Sequence, residues 1–298
     1  MNAKPEDALY VHLASKGMSN RGIARVLNVD EKTVRNGLKR QDYSRHLVPL
    51  DLNDKFAFNL DKPVVITDDA VAITADWHVP ITDIAYVNSF IEASREHSCS
   101  TLLIAGDFFN FDAISRFDEH QEDAGLEKEL AAGEYLMRTL LETFDKIYYI
   151  WGNHDARLHK ALGFAIQFKN AMRLVFGSLG VEALERITFS NLDHAWVRQS
   201  DGREWYVCHP QSYNRTPLST ARALAAKMNA NVITAHSHHC AIGYAVDGER
   251  IVAEAGGLFD RHQTAYLQRT TTHPNWAQGF CLLKTGEPII LDSPGFKT

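Results

Sequence analysis

The first forty residues place apolar side chains at helical spacing. In "PEDALYVHLASKG" Ala8, Leu9 and Leu13 fall on one side, and Gly17 suits the left-handed conformation that closes helices. In "MSNRGIARVLNVDEKTVRNGLKR" Ser19 offers a cap and Ile23, Ala24 and Leu27 form a stripe. A short turn follows at Asn28-Val29-Asp30, then a second stripe of Val34 and Leu38. The pattern predicts three helices, the last two in helix-turn-helix spacing. From Gln41 to about Phe58 it lapses, with Pro49 inside the gap, which divides the chain into residues 1–45, a linker at 46–62 and a larger unit at 63–298. Beyond the gap, apolar runs of period two or none alternate with helical ones. "PVVIT", "VAITADWH", "TLLIAGD" and "KIYYIWGNH" read as strands, "DIAYVNSFIEASREH" and "GLEKELAAGEYLMRTLLETF" as helices. Strand and helix in alternation predict an α/β sheet covered by helices. "HAWVRQS", "EWYVCHP", "NVITAHSHH", "AIGYAV", "RIVAEAGG" and "GFCLLKT" then supply strands with only "PLSTARALAAKMN" as a helix, so a second sheet is expected.

Composition narrows the class. With 298 residues and 45% hydrophobic content the chain can bury a full core and still carry a small second domain. It holds no run of about 18 apolar residues to cross a bilayer, and its start, "MNAKPEDALY", is charged where a signal peptide would be apolar. Its four cysteines, Cys99, Cys208, Cys240 and Cys281, form no C-x-x-C pair, so neither a disulfide framework nor a thiolate zinc site is indicated. A cytoplasmic protein without a membrane role is the expectation. Charge is uneven: residues 1–50 carry nine Lys/Arg against five Asp/Glu, whereas the rest carries 22 against 32. The basic segment is therefore the helical one. Its third helix shows Lys32, Thr33, Arg35, Asn36, Lys39 and Arg40, side chains that meet base edges or phosphates when such a helix enters the DNA major groove. A cap on the main domain or an assembly module with solvated basic residues is the other reading of the same three helices.

The candidate chemistry lies at the carboxyl ends of the strands, where open α/β sheets bind ligands. "AITADWH" ends in Asp76 and His78, "LLIAGD" in Asp107, and "YYIWGNHD" in Asn153, His154 and Asp155. "WYVCHP" ends in His209, and "NVITAHSHH" in His236 and His238. Singly, an Asp-x-His or a Gly-Asp is usually a turn, and a buried His is usually a hydrogen-bonded core residue. Together, five strands ending in electron-pair donors around one crevice would be costly to bury without cations. Oxygen and imidazole donors without thiolate suit Mn²⁺ first, with Fe or Zn²⁺ as alternatives. Seven donors exceed the needs of one open catalytic ion, so two divalent ions roughly 3.5–4 Å apart are the economical reading, and hydrolysis at phosphorus the leading chemistry.

The order Asp-x-His, Gly-Asp, Gly-Asn-His-Asp, isolated His and His-x-His resembles the calcineurin-like metallophosphoesterase superfamily across roughly residues 63–295. The resemblance implies a four-layer αββα sandwich of two mixed sheets. It implies that Asp76, His78 and His238 hold one ion, Asn153, His209 and His236 the other, with Asp107 bridging and a water between the ions as nucleophile. It also implies that His154 serves the leaving oxygen as general acid, with Asp155 orienting its ring or, alternatively, shaping a turn or helix cap. The chain departs from the phosphoprotein phosphatases of the superfamily, which have Asp-Arg-Gly after the Gly-Asp. Here "GDFFNFDAISRF" places Asn110 where many relatives have Asp. Arg157, three residues after His154, and Arg116 are candidates to grip a phosphate oxygen, with a surface salt bridge as the alternative for Arg157; His239 is taken as a bystander.

The order of a helix-turn-helix before a compact phosphoesterase looks like phage or prophage proteins of the superfamily. The expected function is a phosphoesterase directed to DNA, as nuclease or end-processing enzyme. A phosphomonoesterase or nucleotide phosphoesterase with helices for assembly, and a DNA-binding regulator with a non-catalytic metal domain, are the alternatives. Oligomeric state is not legible, since no coiled coil or other dimer element occurs.

Overall fold

The computed structural model describes residues 6–40, 61–115, 125–260, 263, 275–287 and 289–292, and the chain divides into two compact units, residues 1–60 and 61–298. The expected linker residues 46–60, Arg116 and the tail from 293 lie outside the described residues.

In the first unit the three expected helices are α1 (Asp7–Ser15), α2 (Asn20–Leu27) and α3 (Glu31–Arg40). Ser19 caps α2 by accepting the Gly22 N–H at 3.1 Å, and Asn28 ends it in the left-handed region at φ 52°. Asp30 caps α3, its carboxylate accepting the Thr33 N–H at 2.9 Å and the Thr33 hydroxyl at 2.6 Å. Tyr10, Ile23, Ala24 and Val34 form the small core, with Leu13, Leu27, Val29 and Leu38 against it. The inward face of α1 differs from the expected one: Asp7, Tyr10 and Val11 are buried, while Ala8 and Leu9 are exposed. Gly37 explains the difference, because a Cβ there would lie 2.3 Å from the Tyr10 ring. The missing side chain lets α3 close on the tyrosine instead of on a smaller residue.

The second unit has two six-stranded mixed sheets. One runs β12-β11-β2-β3-β4-β5, with β2 (Ala70–Thr74), β3 (Thr101–Ala105), β4 (Lys146–Ile150) and β5 (Ile187–Phe189) parallel. Antiparallel to them is β11 (Phe280–Lys284), flanked by β12 (Ile290–Asp292). The other runs β1-β6-β7-β8-β10-β9, from β1 (Val64–Thr67), β6 (His194–Arg198), β7 (Glu204–Cys208), β8 (Asn231–Thr234), β9 (Cys240–Tyr244) and β10 (Ile251–Ala255).

The two-residue period of the strands sorts the layers. Val71, Ile73, Leu103, Ala105, Cys281 and Leu283 point one way and meet Val197, Trp205, Val207 and Ile233 of the second sheet. Their neighbours Ala72, Leu102, Ile104 and Leu282 point the other way, beneath α4 (Ile84–Glu96), α5 (Leu126–Leu141) and α7 (Phe168–Val175), through Phe90, Met137, Leu140 and Met172. On the far side, Ala221 and Ala225 of α9 (Ser219–Met228) cover Val232 and Val252. Helix, sheet, sheet, helix is the four-layer order the resemblance implied. Each fully buried Ile, Leu or Phe contributes roughly 1.5–3 kcal/mol, so these two apolar layers carry the fold. Among the described residues no helix is long and apolar enough to cross a membrane.

Candidate metal centre

The donor residues sit where strands stop and the backbone turns sharply. Asp76, His78, Asp107, His236 and His238 all adopt positive φ, between 48° and 72°, although none is glycine. Such conformations are costly for residues with a Cβ and persist only where the surroundings over-determine them. Here they do: Trp77 and His78 donate their N–H groups to the Asp107 carbonyl at 2.9 and 3.1 Å, which zips the β2 loop to the β3 loop. Asp76 Oδ2 accepts the His236 N–H at 3.0 Å, and Asp107 Oδ1 accepts the His154 N–H at 2.7 Å. Gly152 is obligatory in this packing, since a Cβ there would fall 2.1 Å from Asp107 Oδ1.

The structure brings all seven expected donors together. Asp76, His78 and His238 offer donor atoms within 4.8 Å of one another, as do Asp107, His209 and His236. Asn153 Oδ1 joins the second group, 3.0 Å from His209 Nε2. Asp76 Oδ1 lies 3.1 Å from His238 Nε2 and 3.8 Å from His78 Nε2, and Asp107 Oδ2 lies 3.3 Å from His209 Nε2. His209 Nδ1 is fixed by donating to the Ala105 carbonyl at 3.0 Å, which turns Nε2 toward the other donors.

Two buried carboxylate oxygens, Asp76 Oδ1 and Asp107 Oδ2, have no hydrogen-bond donor. A buried anionic oxygen without a donor is expensive, and these two aim into the donor cluster, so the residues fit divalent cations. The titration behaviour agrees. Burial works against the charge of Asp76, yet His238 and the other imidazoles hold it well below the carboxylate range; His209 and His154 do the same for Asp107. Burial would lower His209, but Asp107 outweighs it and pushes the imidazole up to about 10. In the bare chain a proton on Nε2 would thus occupy the space between carboxylate and amide oxygens where a cation would sit.

His154 stands at the rim. Its ring centroid is 4.5 Å from that of His78, Nδ1 donates to the Asn110 carbonyl at 2.9 Å, and Nε2 is 3.3 Å from Arg157 Nη2. It also lies close enough to His78 and Asp107 to form a third donor group, a role the sequence does not suggest. Asp155 does not serve the ring. As the first residue of α6 (Asp155–Ala161) it points back to the β3 loop and accepts the Asp107 and Gly152 N–H groups at 2.8 and 2.9 Å and the Tyr149 hydroxyl at 2.6 Å. Of its two expected roles the structural one has the contacts; burial first, then the Asp107 charge, pushes it up to about 7.

Arg157 is partly buried and already committed: Nη1 donates to the Asn110 carbonyl at 2.8 Å and forms a salt bridge with Asp112 at 2.6 Å, the alternative reading for this residue. His239 is buried against Glu254, 3.1 Å away, and belongs to none of the donor groups among the described residues. In the helical unit Lys32, Arg35, Asn36 and Lys39 are exposed on α3, Arg35 lying 3.7 Å from Glu31. Thr33 is committed to the Asp30 cap, and the side chain of Arg40 falls outside the described residues.

Sequence reading missed the residues that set the two histidine rings. Asn110 Oδ1 accepts from His78 Nδ1 at 3.2 Å while its carbonyl takes His154, so one residue steers both. Below it, Glu129 of α5 accepts the Phe111 N–H, and Phe109 stacks between Phe111 and Phe176. Burial pushes the Glu129 carboxyl up to about 7, with Asp112 adding to the rise. Because its folded value exceeds the unfolded one, the stability it contributes is full below about pH 4.5 and is lost as pH rises through about 7, a difference of about 3 kcal/mol. Glu129→Gln should flatten that decline when urea unfolding is compared between pH 5 and 8; an unchanged slope would assign the decline to other groups.

The calcineurin-like phosphoesterase profile matches residues 70–240, which span every donor from Asp76 to His238. No curated protein matches the chain. Among solved structures, a single-residue variant of Vps29 from Entamoeba histolytica is 12% identical, with 75% of this chain and 97% of that chain covered and a TM-score of 0.40. A predicted phosphoesterase from Streptococcus pneumoniae is 10% identical, with coverage of 76% and 97% and a TM-score of 0.33. The nuclease MPE of Pseudomonas putida is 18% identical, with coverage of 74% and 87% and a TM-score of 0.33.

Proposed function

From the chain's membership of the calcineurin-like phosphoesterase family, a family of metal-dependent phosphoesterases with a dinuclear centre, we propose that it hydrolyses phosphodiester bonds of DNA, as nuclease or end-processing enzyme. The observation that carries the catalytic part is the pair of orphaned carboxylate oxygens, Asp76 Oδ1 and Asp107 Oδ2, inside a ring of imidazoles. Asp76, His78 and His238 would hold one ion, Asn153, His209 and His236 the other, and Asp107 both, with Mn²⁺ the first choice for this oxygen and nitrogen set. When bound, the ions supply an activated water and neutralise charge on the phosphoryl oxygens.

The chain's own residues do the rest. The Asn110 carbonyl fixes the His154 ring at Nδ1, which leaves Nε2 beside Arg157 to meet the departing oxygen. Arg157, anchored through Nη1, keeps Nη2 beside that point for a nonbridging oxygen. The exposed Lys32, Arg35, Asn36 and Lys39 on α3 support targeting, because tethering raises the local concentration of DNA at the site. Four free cysteines suit a cytoplasmic setting.

The test is hydrolysis by Mn²⁺-loaded protein of a phosphomonoester, a phosphodiester and end-labelled single- and double-stranded DNA, with His154→Ala as control. Cleavage of DNA and the diester, lost in the variant, is expected. Turnover confined to the monoester would replace this reading with a phosphatase, and no turnover of any substrate would favour a regulator with a non-catalytic metal domain.

A further inference from the structure

The chain leaves β7 through His209 and runs exposed from Gln211 to Thr216 before α9. In that loop Tyr213 remains 47% exposed, a large apolar surface left to water beside a polar site. Its ring and that of His236 meet at 83° with centroids 5.0 Å apart, so it borders the donor cluster. The loop is braced on both sides of the tyrosine. Gln211 donates to Asp193 at 3.2 Å, the Asn214 N–H to the Thr220 hydroxyl at 3.0 Å, and the Thr216 N–H to Asn214 at 2.8 Å. Between the last two anchors lies Arg215, exposed and without a hydrogen bond or ion pair among the described residues.

An aromatic face and an unpaired guanidinium, two residues apart on a fixed loop next to a phosphoester site, match one repeat of a nucleic-acid strand. Bases stack on aromatic rings regardless of sequence, and Arg takes a phosphate in bidentate fashion. We propose that Tyr213 and Arg215 recognise the nucleotide flanking the scissile phosphate, Tyr213 by stacking on its base and Arg215 by pairing with the next phosphate. This rests on the DNA reading above and deepens it: in a duplex the base faces are already stacked, so the loop selects single strands or frayed ends.

The test is a binding measurement on full-length, Mn²⁺-loaded His154→Ala protein, using a trinucleotide with a central 2-aminopurine whose fluorescence falls on stacking. Tyr213→Ala should abolish the quenching and weaken binding by about 5- to 150-fold. Tyr213→Phe should retain both, and an abasic trinucleotide should bind the Tyr213→Ala and Tyr213 proteins equally. Arg215→Ala should weaken binding and reduce its salt dependence. Unchanged quenching and affinity in Tyr213→Ala, or no binding of the trinucleotide at all, would overturn the proposal even if DNA is cleaved. Tyr213-dependent binding in a protein that cleaves no DNA would overturn the DNA-hydrolysis reading instead and leave the loop as a reader of a strand that the site does not cut.

Discussion

Asp107→Ala should reduce phosphoester hydrolysis by at least ~10³-fold and lower the bound metal by about one ion per chain, because the carboxylate proposed to bridge would serve both ions at once. Asp107 Oδ2 is buried without a donor, and its other oxygen accepts the His154 N–H at 2.7 Å, so the side chain joins the donor cluster to the Gly-Asn-His loop. Loss of the loop contact alone could also impair the enzyme. Asp107→Asn separates the two effects: its carbonyl oxygen still accepts the His154 N–H, while the charge it would share between the two ions is gone. Metal content by elemental analysis and turnover should fall in both variants. Full metal content and rate in Asp107→Asn would remove Asp107 from the centre.

His154→Ala should lower turnover by about 10²- to 10⁴-fold while leaving the metal content unchanged. The ring is anchored at Nδ1 on the Asn110 carbonyl and shows Nε2 to the site, the arrangement of a group that meets a leaving oxygen. The deficit should shrink for a p-nitrophenyl ester, whose leaving group departs without a proton, and be largest for an alkyl ester. His154 also completes a donor group with His78 and Asp107. Loss of metal in the variant, with equal deficits on both esters, would make it a ligand instead.

The fold was legible wherever one period ruled a whole element. Strands β2, β3 and β4 are apolar over most of their length because both faces are covered, the exposed Lys146 opening β4 aside, and each leads into a donor, which is why their ends could be read as a site. Between residues 155 and 185 the helices α6, α7 and α8 (Val181–Glu185) are too short, at seven, eight and five residues, to show an unambiguous stripe, and β5 has only three residues. The role of Asp155 was open because adjacency to His154 suggests a partnership. Opening a helix turns its carboxylate the other way, onto the amides of the β3 loop. Asn110 and Glu129 act through contacts 32 and 18 residues apart in sequence, which no local pattern encodes. On α1 the inward face depended on what was absent from α3, the Cβ of Gly37.

The place of β11 has a consequence for a chain still being synthesised. Every expected metal donor precedes residue 239, yet β2, which leads to Asp76 and His78, pairs on one side with Phe280–Lys284. A nascent chain that already contains all the donors therefore has an open edge beside β2. It also lacks Phe280 and Leu282 beneath α4. The positive-φ turns that aim Asp76 and His78 depend on a rigid surround, and that surround closes only when this late strand arrives. The expected donors are thus framed only once residues 280–284 have emerged: a ribosome-bound fragment that stops short of them carries the donors without the strand that holds them in register.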